Sequence, residues 1–233
     1  MSTSILIVTR NRADQLRLSL PTIVGRYSGT EIIVIDDAST DSSLNVLSQY
    51  IYDVTRVIVP KRNGTEGYRK NPSAVLNIGH RECSGGIVIE QGGEICHLTD
   101  CVTPLSAICR PGVVALARVY HGTPEEMFAL QRIIASGAFP YPPDITPDHV
   151  LTNADHLPVN RFQGTRLYCG LERPVPFLFC GAIHRDDFEA VGGYDETIPC
   201  NNDGDLAKRL VARGVKFTFV GSAIAFHLEH PKT

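Results

Sequence analysis

Two aspartates stand side by side at the end of an apolar run, Ile32-Ile33-Val34-Ile35-Asp36-Asp37, and Asp41 follows shortly after. Helix capping accounts for Asp41, because an aspartate side chain accepts from the unpaired N–H groups of a helix's first turn. Capping does not account for two adjacent carboxylates directly behind a strand-like run. Two other polar segments sit in equivalent places, Thr9-Arg10-Asn11-Arg12 after Ile5–Val8 and Glu90-Gln91-Gly92-Gly93-Glu94 after Ile87–Ile89. In an open parallel sheet, ligands bind beyond the carboxyl ends of the strands. All three segments are therefore candidate ligand contacts. The common alternatives are absent: GxGxxG after the first strand, GxxxxGK[ST], GxSxG and HExxH.

The elements that must position these residues alternate. Apolar strands are expected at Ile5–Thr9, Glu31–Ile35, Val57–Val59, Gly86–Ile89 and Val113–Ala117. Between them fall helical spacings over Arg12–Val24, from Asp41 to about Tyr50 with Leu44 and Leu47 on one face, behind Asn71-Pro72, and over Pro104–Cys109. Asn71 reads as an N-cap with Pro72 at the first helical position. This alternation implies a parallel sheet covered on both faces. Gly137 to Pro176 is proline-rich and aperiodic, which points to a functional loop, a lid or a disordered segment. Order returns at Phe177–Ile183, in helices over Asp186–Val191 and Asp203–Arg213, and in two short strands, Lys216–Val220 and Ala223–His227.

Composition narrows the function. With 43% apolar and 20% charged residues in 233, the chain is neither a disordered tail, a collagen nor a coiled coil. A net charge of −3 offers no basic surface for nucleic acid or an anionic membrane. Apolar runs such as Ile32–Ile35 fall far short of the ~20 residues of a membrane span. Met1 to Thr9 lacks the basic flank of a signal peptide. The seven cysteines are scattered without CxxC spacing and read as reduced, mostly buried thiols of a cytoplasmic protein, with zinc binding as the alternative.

The segments Ser4-Ile5-Leu6-Ile7-Val8-Thr9-Arg10-Asn11-Arg12 and Glu31 to Asp41 resemble the opening of family-2 glycosyltransferases, an apolar strand with PTYNR and later VDDGSTD. The resemblance continues at Asn63-Gly64, at Ala74 to Gly79, at Gly192-Gly193-Tyr194-Asp195-Glu196 (GGFDE), at Asn202-Asp203-Gly204-Asp205-Leu206 (EDxDL) and at His227-Leu228-Glu229-His230 (HxxH). It implies a GT-A fold: α/β, a Rossmann-like mixed sheet with helices on both faces, in one domain over 1–233. Residues 1–118 would form the nucleotide-sugar half and 119–233 the acceptor half.

It also implies inverting transfer from a nucleotide-diphosphate sugar, with UDP-sugar as donor, to a hydroxyl of a glycan or other acceptor. Polysaccharide biosynthesis would be the setting. The alternative is a nucleotide-sugar-binding domain without activity. By the same resemblance Asp37 contacts the nucleotide with Asp36 in support, and Thr9, Arg12 and Asp14 line the base and ribose pocket. Arg69 and Lys70 meet the diphosphate or are simply a solvated pair. Asp203 is the general base or, alternatively, a helix cap, and Asp205 is structural; Asn202 replaces the family's glutamate. Phe179 to Ala182 and the loop from Tyr141 to Gly170 face the acceptor, where Tyr141, Phe162 and Tyr168 stack on sugar rings or anchor the loop.

One departure is plain. Where the family carries DxD, this chain has Glu90-Gln91-Gly92-Gly93-Glu94. Setting Gln91 at the first aspartate leaves Glu94 as the nearest usable carboxylate, with His227 or His230 to complete a Mn²⁺ or Mg²⁺ site; the histidines otherwise mark a strand end. Three readings stay open: a weak metal site, metal-independent transfer, or lost activity.

Overall fold

The computed structural model describes residues 1–58, 72–138, 166–167, 178–198 and 202–230. Arg69, Lys70, Asn63, Gly64, Asn71, Cys169, Cys200 and most of the Tyr141 to Gly170 loop, with Phe162 and Tyr168, lie outside them.

The first half winds as its hydrophobic pattern dictates. Strand β1 (Thr3–Thr9) leads to helix α1 (Ala13–Ile23), then β2 (Glu31–Asp36), α2 (Ser43–Ser48), β3 (Arg56–Ile58), α3 (Ser73–Glu82) and β4 (Ile87–Gly92). Strands β1 to β4 pair in parallel, with Thr9 opposite Asp36 and Val8 opposite Gly92. Consecutive residues Ile32 to Ile35 are all buried, as a strand covered on both faces requires.

The second half adds β5 (Ile95–His97), α4 (Val102–Ile108), β6 (Val113–Gly122), α5 (Pro124–Ala135), β7 (Arg166–Leu167), β8 (Cys180–His184), α6 (Arg185–Ala190), α7 (Asn202–Ala212) and β9 (Lys216–Leu228). The main path of the sheet runs β3-β2-β1-β4-β8-β6-β9-β5, with β7 on β6. Because β8 is antiparallel to β4 and β6, and β5 to β9, the sheet is mixed, as the family resemblance implies.

Several local readings change. Helix α3 begins at Ser73 with Pro72 in the N-cap place, one residue later than the spacing suggested. In α2 the core takes Val46 and Leu47, and Leu44 stays 40% exposed. On α7, Val211 likewise faces outward. The two C-terminal strands are one, β9, whose halves pair with β6 on either side of a register shift: Ala117 faces Val220 but Arg118 faces Ile224. The extra residues around Gly221-Ser222 form a bulge that keeps both halves in the sheet. The short β5 and β7 and the helix α5 had no counterpart in the sequence reading. Gly192, Gly193 and Gly214 adopt φ of +78°, +70° and +82°, which stop α6 and α7 where the glycines predicted.

Candidate active site

The carboxyl ends of β1, β2 and β4 converge, and the loops leaving them are laced together. Asp37 N–H donates to Thr9 O at 2.8 Å, and Gly93 N–H to Val8 O at 3.0 Å. Asn11, at φ +49°, accepts from Thr40 N–H at 2.7 Å, and its own N–H reaches Ser39 Oγ at 2.8 Å. Asp41 accepts from Ser43 N–H at 2.9 Å and from Ala13 N–H at 3.1 Å, so one carboxylate serves the starts of two helices. Burial works to raise its pKa, but these hydrogen bonds outweigh it and hold the group below its ordinary value.

Asp36 is fully buried. Its Oδ1 accepts from Ser39 N–H at 2.8 Å, while Oδ2 has no hydrogen-bonding partner among the described residues, and neither has the buried Thr9 Oγ1. A buried polar atom left unpaired costs about 1–3 kcal/mol. Two at adjacent strand ends are therefore suited to receive a ligand's donors and acceptors. Asp37 lies beside them, with Arg10 Nη1 donating to its backbone oxygen at 2.9 Å and standing 3.7 Å from its carboxylate.

A second group assembles at the β4–β5 connection. Gly93-Glu94 joins the two strands, and β5 pairs antiparallel with the end of β9, Ile95 opposite His227. Leu228 N–H donates to Glu94 O at 3.0 Å. This pairing brings Glu94 Oε1 to 3.6 Å from His227 Nε2 and 3.9 Å from His230 Nε2. Arg12 joins from the opposite loop, its Nε 3.7 Å from Glu94 Oε2 and its Nη2 3.5 Å from His230 Nε2. The two glycines keep this space open: a Cβ on Gly92 would lie 2.6 Å from Glu94 Oε1, and one on Gly93 would lie 2.5 Å from Thr9 Oγ1. Burial, then the neighbouring His230 and His121, push His227 down to about 3, so its ring is neutral and able to ligate. His121, which the sequence reading passed over, is 3.3 Å from His227 through their Nδ1 atoms. Glu94, His227 and His230 offer donor atoms all within 4.8 Å of one another. One carboxylate oxygen and two imidazoles suit Mn²⁺ better than Mg²⁺, which prefers an all-oxygen shell.

Gln91 does not belong to this group. It is buried with its Oε1 2.5 Å from His97 Nε2 and its amide donating to Ile95 O, so it is directed into the interior rather than toward Glu94.

The third group surrounds Asp203. Glu90, inside β4, accepts from Tyr194 Oη at 2.6 Å and pairs with His80 Nε2 at 2.7 Å. Asn77 holds Tyr194 by both backbone groups, each at 2.9 Å, and His80 stacks on Phe188 with ring centroids 3.7 Å apart. Asp203 stands in the first turn of α7. Burial, and then the Glu90 carboxylate, push its pKa up to about 7. Tyr194 is raised by burial, Glu90 and Asp203 together. Asp205 instead pairs with Arg209 at 2.7 Å, and Arg209 ties α7 to Val191 O and Gly193 O. Asn202 reaches Ser73 Oγ at 3.2 Å. A charged residue within the buried run Ile87-Val88-Ile89-Glu90 was the available sign of Glu90's place.

Of the sequence candidates, Thr9, Asp36 and Asp37 meet at the strand ends, and Arg12, Glu94, His227 and His230 form one cluster. Asp14 joins neither. It sits on the outer face of α1, 90% exposed, in an ion pair with Arg17.

Fold and site thus define an α/β domain with a cluster of carboxylates, imidazoles and an arginine at the carboxyl edge of its parallel strands. The chain belongs to glycosyl transferase family 2, whose sequence pattern matches residues 4–191. No curated protein matches it in sequence. Among solved structures, S. aureus TarS 1-349 in complex with UDP-GlcNAc superposes with a TM-score of 0.67 at 13% identity, covering 100% of this chain and 60% of that one. GalNAc-T7 with UDP, GalNAc and Mn²⁺ gives a TM-score of 0.66 at 15% identity, covering 100% of this chain and 44% of that one. The shared fold is GT-A. The chain therefore spans well under two thirds of the length of these structures.

Proposed function

We propose that this chain is an inverting glycosyltransferase that moves a sugar from a UDP-sugar to an acceptor hydroxyl. The observation that carries this reading is the convergence of Arg12, Glu94, His227 and His230 beside the unpaired Thr9 Oγ1 and Asp36 Oδ2. The solved relatives hold UDP-GlcNAc in one case and UDP with Mn²⁺ in the other, which supports the same donor chemistry here.

In this reading Thr9, Asp36 and Asp37 take the nucleoside, and Arg12 faces the diphosphate. Glu94, His227 and His230 hold Mn²⁺, which when bound offsets the negative charge of the departing diphosphate. Asp203 takes the proton from the acceptor hydroxyl as its oxygen attacks the anomeric carbon from the face opposite the diphosphate, which inverts that carbon. A base poised near neutral pH suits this task, and burial beside Glu90 supports that assignment. Residues 1–118 then serve mainly the donor and 119–233 the acceptor, with His227 and His230 of the second half reaching Glu94 of the first.

Calorimetry with UDP and UDP-GlcNAc in Mn²⁺, followed by a sugar-release assay, tests the reading. A donor at a hundred times its Kd stabilises the fold by about 2.7 kcal/mol, visible as a rise in Tm. Binding with turnover is expected. Binding without turnover under every metal and acceptor condition favours an inactive nucleotide-sugar-binding domain, and no binding of any nucleotide sugar overturns both.

A further inference from the structure

We propose a second metal site, built from His97, Cys101 and Cys180, that takes a thiophilic divalent cation, Zn²⁺, as a clip between β5, α4 and β8. These residues end β5, precede the first turn of α4 and open β8. They are 0%, 0% and 1% exposed, and their donor atoms all lie within 4.8 Å of one another.

One edge of the cluster already has the length a tetrahedral zinc site requires. With Zn–S near 2.3 Å and Zn–N near 2.1 Å, neighbouring donors stand roughly 3.5–3.8 Å apart. His97 Nε2 is already 3.7 Å from Cys180 Sγ. Gln91 stands at the fourth position: its Oε1 is hydrogen-bonded to the same Nε2 at 2.5 Å, a contact that must open once His97 carries its proton on Nδ1, toward Tyr27 Oη, and Nε2 turns to the ion. Gln91 and Cys180 are register partners on β4 and β8, so their side chains leave the same face of the sheet.

The surroundings orient the ligands. Tyr27 Oη is 2.9 Å from His97 Nδ1 and accepts from Cys101 N–H at 2.9 Å, which fixes the imidazole with Nε2 toward Cys180. Outer partners of this kind are what hold a ligating histidine in place. Cys101 Sγ now donates to Ile224 O, a carbonyl that also accepts from Leu98 and Thr99 N–H and so stays satisfied once the thiol proton leaves. Burial pushes His97 down to about 3, which keeps the ring neutral.

Charge selects the ion. Loading exchanges two thiol protons for one Zn²⁺, Zn²⁺ + 2 RSH → Zn(SR)₂ + 2 H⁺, and the buried product is neutral. Monovalent copper with the same two thiolates would leave a net negative charge in a dry interior, and Mg²⁺ or Ca²⁺ reject sulfur donors. The site shares no ligand with the Glu94 cluster and stands or falls independently of sugar transfer.

The test is metal content and spectroscopy on the full chain, purified with reductant and without chelator, in wild type and in a Glu94→Ala/His227→Ala variant that removes the other cluster. The variant should carry about one zinc per chain bound with structural-site strength, and wild type at least one. Replacement by Co²⁺ should produce an intense thiolate-to-cobalt band that Cys101→Ser and Cys180→Ser each abolish. Should the serine variants not fold, mass-spectrometric mapping of alkylation of the wild-type chain in partly unfolding denaturant decides, with Zn²⁺ protecting Cys101 and Cys180 and not the other thiols. A wild-type chain that takes up neither Zn²⁺ nor Co²⁺, a cobalt complex without the thiolate band, or alkylation unaffected by metal overturns the proposal.

Discussion

Tyr194 donates its phenolic hydrogen to Glu90 Oε1 at 2.6 Å, and the carboxylate it holds is the one whose charge raises Asp203. His80 grips the other oxygen of Glu90 at 2.7 Å, so the carboxylate has little freedom to move away from Asp203. The β4 strand thus has two uses along its length: Glu90 sets the electrostatics around Asp203, and the turn beyond it presents Glu94.

Asp203→Asn should leave UDP affinity nearly unchanged and reduce transfer by about 10²–10⁴-fold, the usual share of a general base. Calorimetry with UDP and a sugar-transfer assay on the same preparation check this. Near-native transfer by the variant removes Asp203 from the role.

The pH profile follows from the same group. With Asp203 as the proposed base, kcat/KM should climb as pH rises and Asp203 ionises, and level off above about 7. Glu90→Gln removes the like charge and should move that limb to lower pH. The sign for stability is opposite. Because the folded pKa lies above the unfolded value, folding binds a proton that is lost as pH rises toward 7, so Asp203 destabilises the fold at high pH. Asp203→Asn should therefore raise Tm at about pH 8 and lose that advantage near pH 4, where the folded Asp203 is protonated.

Thr9→Val separates binding from folding. Its hydroxyl has no partner among the described residues, so the swap should change stability by less than about 1 kcal/mol while weakening UDP binding by about 0.5–1.5 kcal/mol. Asp37→Ala should cost UDP binding more, roughly 1.5–3 kcal/mol, the range for hydrogen bonds to a charged group. If both variants bind UDP as wild type does, the nucleoside lies elsewhere.

Mn²⁺ should tighten UDP binding in wild type and do so far less in Glu94→Ala and His227→Ala. Equal affinity in Mn²⁺ and in EDTA for the wild-type chain would leave Arg12 and the residues outside the described segments to meet the diphosphate. Titrations compared across the three proteins provide the measurement.

Much of this was legible in the residues. Contiguous apolar runs ending in polar residues specified β1, β2 and β4 and placed Thr9 and Asp36 at carboxyl ends and Glu94 just beyond one. A strand buried on both faces tolerates a polar residue inside it only where partners satisfy it, as Tyr194 and His80 do for Glu90. The start of α7 placed Asp203 in a first turn. Helix α5 was also written locally, in the box formed by Thr123 and Glu126 with Pro124 between them, though that signal went unread.

Other features exist only in three dimensions. Whether His227 meets Glu94 depends on β5 pairing with the last residues of β9, a contact between distant segments that no local period encodes. The bulge opposite Ala117 and Arg118 made one strand of what reads as two. Asp14 and Arg12 are near neighbours in sequence, yet Asp14 on α1 faces solvent while Arg12, in the loop before it, faces Glu94. The poise of Asp203 near neutrality comes from burial and from a buried carboxylate on β4, distant in sequence, and desolvation is a property of what surrounds a group after the chain has closed around it.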